Sequence, residues 1–322
     1  MLRRVLLVVS FFVFSSLVVA VPGYAASTSR TICSHTKRAG YARCNAQLLT
    51  DAAGNILPLA SASPAGYGPA VFRAAYNAHG TAAGHIAIVS SYDAPTIIAD
   101  VNTFSRTFGL PPLSSCTSAA QPTCFEKLSQ TGNTTYPAKN SSWAVEISLD
   151  VESAHGMCPN CRISLIKAES ASMNDLGQAT DTAVATGASV VSNYYGGVES
   201  SGEAQYDTHY HMPSITMVVS SGDSGYGTDY PAASPWVVAV GGTHLQMNAT
   251  DSRVVSETAW QSAGSACSLF EPYPGKRRPK CCSLDTLRTH RRLNIKIVRN
   301  AVKGPGLYFS RNYLTACVIV DL

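Results

Sequence analysis

The chain has 322 residues, 45% of them hydrophobic and only 14% charged, enough to bury one large core or two ordinary ones. Its formal charge is +4, but residues 271–322 carry 11 Lys and Arg against Glu271, Asp285 and Asp321, so the rest of the chain is net acidic. The basic balance therefore describes the C-terminal tail, and it gives no ground for a nucleic-acid partner.

In chain order, "MLRR", the apolar run "VLLVVSFFVFSSLVVAV" and the small-residue exit "PGYAAS" predict a signal peptide over residues 1–26, cleaved near Ala25 or Ala26, and a secreted product with no membrane span after cleavage. A single anchoring helix is the competing reading. Residues 27–65 lack periodicity and are expected to be irregular.

The pattern then predicts a short helix over 66–78, a buried strand over 85–93 and a helix over 94–109 with Pro95 in its first turn and Gly109 after its end. Further strands are expected over 162–169, 189–197, 215–225 and 236–243, and helices over 173–188 and 203–212. Strands alternating with helices at this spacing argue an α/β fold with a largely parallel sheet flanked by helices. In such sheets chemistry sits at the carboxyl ends of the strands, which here are "SSYD", "NYYGG", "SSGDSG" and "VGGT".

Ten cysteines suit an oxidising compartment. Cys33 with Cys44, Cys116 with Cys124, and Cys158 with Cys161 are close pairs read as disulfides, and Cys267 has Cys281 or Cys282 as a candidate partner. "CPNC" (158–161) also has the spacing of a redox or metal motif, but a zinc site needs about four ligands and no second knuckle of suitable spacing follows, so no metal is expected.

Two stretches carry candidate chemistry. "SSGDSGYG" (220–227) contains Gly-Asp-Ser-Gly, which surrounds the nucleophile in chymotrypsin-like proteases. Ser224 would need a His and an Asp in reach within an all-β fold, and none of the eight histidines sits in a recognisable triad context. In "SSWAVEISLDVESAHGM" (141–157), Glu146 and Asp150 are four apart. On a helix they share a face and can share a proton; on a strand they are about 13 Å apart. Val145, Ile147, Leu149 and Val151 alternate strictly with polar residues, which taken alone predicts a strand.

Together, "EISLDVESA" and "SSGDSGYG" followed by "YPAASPWVVAVGGT" resemble the sedolisin (serine-carboxyl peptidase) family. The likeness runs from about residue 66 to 268, with the motifs in the family's order. It implies a subtilisin-like fold and a secreted serine-type endopeptidase acting on proteins or peptides at acidic pH, as a monomer. It implies a helix under Glu146 and Asp150, with Glu146 as general base and Asp150 as its supporting carboxylate. Asp223 would line the oxyanion hole, where a protonated carboxyl can donate to developing negative charge. Gly196, Gly197, Ser221 and Gly222 would contact the substrate backbone.

The resemblance stops near Ser268. The family's nucleophile lies in a Gly-Thr-Ser-x-x-x-Pro segment, and none occurs here; "GGTHL" (241–245) has His244 where the Ser would stand. The calcium ligands that the family places after its nucleophile are not found either. The composition of 269–322 changes abruptly, as a shifted reading frame would make it, leaving the C-terminal part of the fold incomplete and the chain inactive as written. A basic amphipathic binding tail is the alternative, and with it a non-catalytic peptide-binding protein derived from the peptidase fold.

Overall fold

The structure is a computed structural model, and it describes residues 28–33, 38–51, 53–55, 66–78, 83–248 and 253–271. The predicted signal peptide and almost all of the basic tail lie outside the described residues. The strands are β1 (Thr28–Thr31), β2 (Arg43–Cys44), β3 (Gln47–Thr50), β4 (His85–Ser91), β5 (Phe125–Ser129), β6 (Arg162–Ala168) and β7 (Val190–Asn193). They continue with β8 (Tyr195–Val198), β9 (Thr216–Ser220), β10 (Asp229–Tyr230), β11 (Val238–Val240), β12 (Thr243–Met247) and β13 (Val254–Ala259). The helices are α1 (Pro69–Ala75), α2 (Ile97–Phe108), α3 (Ser141–Met157) and α4 (Met173–Ala185), with a 3-10 turn over Glu203–His209.

Two units divide the described chain. One comprises residues of the N-terminal stretch up to Arg30 together with Leu48–Leu57. Its legible feature is a turn in which the Asp51 carboxylate accepts from the backbone N–H groups of Ala53 and Asn55. The other runs over Thr31–Gln47 and from Pro58 onward, so residues 31–47, expected to be irregular, group with the α/β body.

The body is built on a six-stranded sheet in the order β11-β9-β7-β4-β6-β5, parallel throughout. This is the α/β, subtilisin-like class the sequence predicts. β6 is buried along its whole length, as a strand covered on both faces must be. Helices start and stop where the chemistry allows. Asn140 caps α3 by accepting from Ser142 and Trp143 N–H groups, Ser172 caps α4, and Gly109 closes α2 in the left-handed region at φ 65°. Pro95 lies just before α2 rather than in its first turn.

Residues 141–157 are helical, against the local alternation. Burial explains it: Trp143, Glu146, Ile147, Val151 and His155 face inward at helical spacing, while Leu149, which made the alternation look strict, is 46% exposed. Three boundaries also differ from expectation. The strand predicted over 189–197 breaks at Tyr194 into β7, in the main sheet, and β8, at the centre of a three-stranded sheet β10-β8-β2. The strand over 236–243 ends at Val240, and β12 pairs instead with β13 as an antiparallel hairpin. The region 203–212 forms only the short 3-10 turn. Edge strand β5 was not anticipated.

Three disulfides join Cys33–Cys44, Cys116–Cys124 and Cys158–Cys161, the pairs read from spacing. Cys267 is disulfide-bonded too; Cys281 and Cys282 lie outside the described residues.

Candidate active site

Glu146 and Asp150 occupy successive turns of α3, on the face that packs against the sheet and β2. Glu146 is completely buried. Its Oε2 accepts two backbone N–H bonds, from Asn45 at 2.7 Å and Ala46 at 2.6 Å, while its Oε1 and Asp150 Oδ2 are buried with no hydrogen-bond partner. Burial pushes the Glu146 carboxyl up to about 8, against the lowering effect of the two N–H donors, and the Asp223 charge adds to the rise. Burial, then the neighbouring Glu146, raises Asp150 well above the carboxylate range, with Lys167 opposing. The pair therefore keeps a proton into the neutral range.

Asp223 follows β9, in the loop at the carboxyl end of the sheet, and its Oδ2 accepts from Gln47 Nε2 at 3.4 Å. The structure thus brings Asp150 and Asp223 each within electrostatic reach of Glu146, although Asp223 is 77 positions further along the chain. The 221–225 loop is clamped by a second loop: Gly264 N–H donates to Gly222 O and Gly225 N–H to Ser262 O, both at 2.7 Å. Gly222 sits at φ 97°, and a Cβ there would come within 2.5 Å of Asp229 Oδ2, so the position demands glycine on two counts. Ser221 Oγ is buried without a partner.

Ser224 is exposed and accepts from Arg43 Nη2 at 3.1 Å. No described histidine is bonded to it: His85 pairs with Ser164, His155 with Pro111 O and His209 with Asp181, and His211 stacks on Trp236.

Gly196 and Gly197 lie on β8, which holds an extended segment by antiparallel pairing. That segment is the chain's own: Arg43 pairs with Gly196 and Cys44 with Tyr195, while β10 takes the other edge. Both glycines permit close approach, since a Cβ at 197 would fall 2.3 Å from Tyr41 O. In this structure one edge of β8 is paired with Arg43 and Cys44 and the other with Asp229 and Tyr230.

The sequence reading missed residues 41–47 altogether. They run across the site: Arg43 Nη2 reaches Asp229 Oδ2 at 2.8 Å, Asn45 and Ala46 cap Glu146, Asn45 Nδ2 meets Ser220 Oγ at 3.3 Å, and Gln47 meets Asp223. The one cue was Cys44, whose bond to Cys33 fixes the segment. Lys167 was passed over as part of a strand, although a lysine in "RISLIKAE" interrupts an apolar run. For metals, no cluster of three or more His, Cys, Asp or Glu able to hold an ion occurs among the described residues.

No protein-family profile matches the chain. It is 31% identical over 154 residues to kumamolisin of Bacillus sp. (strain MN-32), a match covering 40% of this chain and 27% of that protein. The chain thus aligns with little more than a quarter of that relative. Among solved structures it resembles Pseudomonas sedolisin, a serine-carboxyl proteinase complexed with two molecules of pseudo-iodotyrostatin. The TM-score is 0.55 and the identity 22%, over 66% of each chain.

Proposed function

We propose that this chain, with its subtilisin-like fold and its 31% identity to kumamolisin over 154 residues, belongs with the sedolisin peptidases and carries the acid–base half of a secreted serine-type endopeptidase acting on peptides at acidic pH. Glu146 serves as general base, Asp150 shares and returns its proton, and Asp223 donates to the developing oxyanion. The observation that carries this reading is the buried Glu146–Asp150 pair facing Asp223, two unpartnered carboxyl oxygens included. Keeping Asp223 protonated while Glu146 must accept a proton suits an acidic medium.

The 322 residues contain no Gly-Thr-Ser-x-x-x-Pro segment, so this chain by itself forms no acyl-enzyme and turns over no peptide. The test is hydrolysis of an unfolded protein substrate between pH 3 and 6 by the chain and by its Glu146→Ala/Asp150→Ala variant. Equal, background rates are expected. Clear activity that the double variant loses would overturn the inactivity while keeping the peptidase assignment.

A second reading, a non-catalytic peptide-binding protein, is favoured by one observation: β8 already holds an extended segment by strand addition. A peptide taking that place must displace residues 43–46, so Arg43→Ala, which removes the segment's anchor to Asp229, should raise the affinity for extended peptides in calorimetry. No measurable binding by either protein would remove this reading.

A further inference from the structure

Lys167 lies within electrostatic reach of Asp150. It sits near the carboxyl end of β6, in register with Ser90 of β4 and Ser129 of β5. Alternation along the strands puts these three side chains, with Lys127, on the sheet face that α3 covers. Lys167 is fully buried, and its Nζ has no hydrogen-bond partner. Ser90 Oγ and Asp150 Oδ2 are likewise buried and unpartnered. A buried amine without a hydrogen bond costs several kcal/mol unless a charge nearby compensates, and structural packing gives no reason for one here, where an apolar side chain would fill the space.

The charged groups around it are few. From the loop after β4, Asp93 is engaged by Lys127 Nζ at 2.9 Å, and Lys127 also lies over the Tyr136 ring. From α3 come Asp150 and, beyond it, Glu146. Asp93 is thus already paired, and Asp150 is the carboxylate left for Lys167.

We propose that Lys167 is a positioning residue of the acid–base pair, supplying the buried positive charge that lets Asp150 ionise beside Glu146. With the amine protonated, an Asp150 carboxylate and a protonated Glu146 form a set of zero net charge, and the pair can pass one proton to and fro. Without the amine, neutrality in the same dry space requires both carboxyls to hold their protons, and the pair loses its capacity as a base. Burial lowers the Lys167 amine to about 7, with Asp93 and Asp150 holding it up and Lys127 opposing them. The charge is therefore fully present at acidic pH and drains away as pH rises through neutrality.

The inference rests on Glu146 and Asp150 being the working pair, but its test reads their protons directly and holds whether or not any peptide is cleaved. Side-chain carboxyl carbons of the labelled chain are followed by NMR from pH 3 to 9 in the wild type, Lys167→Met and Lys167→Arg. Lys167→Met should raise the Asp150 midpoint by about one pH unit or more, and Lys167→Arg should restore it. An unchanged midpoint in a folded Lys167→Met protein overturns the proposal. Should Lys167→Met not fold, the Nζ resonance of Lys167 is titrated in Asp150→Asn. Its midpoint should fall measurably, because one of the two anions that hold it up is gone, and an unmoved midpoint would equally overturn the proposal.

Discussion

The two faces of the central sheet obey different rules. On the face covered by α4, Leu176, Ala179 and Ala183 are fully buried and the polar groups are satisfied. Thr180 Oγ1 donates to Leu176 O, and Tyr195 Oη donates to Asn193 Oδ1 while lying 3.3 Å from Tyr210 Oη. On the face covered by α3, Glu146, Asp150, Lys167 and Ser90 all have buried polar atoms with no partner. A stable domain has no reason to tolerate four such atoms together. The first face holds the fold, and the second gathers the unpartnered polar atoms on which the proposed proton chemistry rests.

The largest effect expected from this contrast is on the α4 face. Leu176→Ala should cost about 3 kcal/mol, as buried leucines do, visible as a fall in the denaturant midpoint that is the same at pH 5 and pH 8. A loss below about 1 kcal/mol would mean that this face is not the fold's anchor.

On the α3 face the signature is pH. Glu146 is raised to about 8 and Glu152, on the same helix, to about 7, burial being the main cause in each. Because each folded value exceeds the unfolded one, the folded chain binds extra protons between about pH 4.5 and 8. Their stabilisation is complete below that window and lost as pH rises through it. Lys167 works the other way, lowered in the folded state, but its effect begins only above about pH 7. The melting temperature should therefore be higher at pH 5 than at pH 8, by roughly 5 °C or more, and Glu146→Gln should flatten part of that slope. A melting temperature that rises toward pH 8 would erase the distinction between the faces.

The smallest effect belongs to Ser224. Exposed and with no described histidine bonded to it, it should change stability by about 0.5 kcal/mol or less when replaced by Ala, with peptide hydrolysis staying at background. A loss of activity in Ser224→Ala would restore the chymotrypsin-like reading of Gly-Asp-Ser-Gly.

Strand–helix alternation, the glycine end of α2 and the three close cysteine pairs were all legible in the sequence, because each depends on neighbours within a few residues. So were Glu146, Asp150 and Asp223 as candidates, through the two motifs that resemble the sedolisin family. Local pattern failed at α3, where alternation suggested a strand, because the side of Leu149 that faces solvent is set by what α3 packs against. It failed again at residues 41–47, which have no periodicity of their own and become ordered by pairing with β8 and capping Glu146. What the sequence by itself determined was the strand–helix alternation of the body and the acidic residues it carries. Only the tertiary structure decided that Lys167 lies within electrostatic reach of Asp150 and that the chain's own Arg43 and Cys44 fill the edge of β8, since both follow from burial and from pairing between segments more than a hundred residues apart in the latter case.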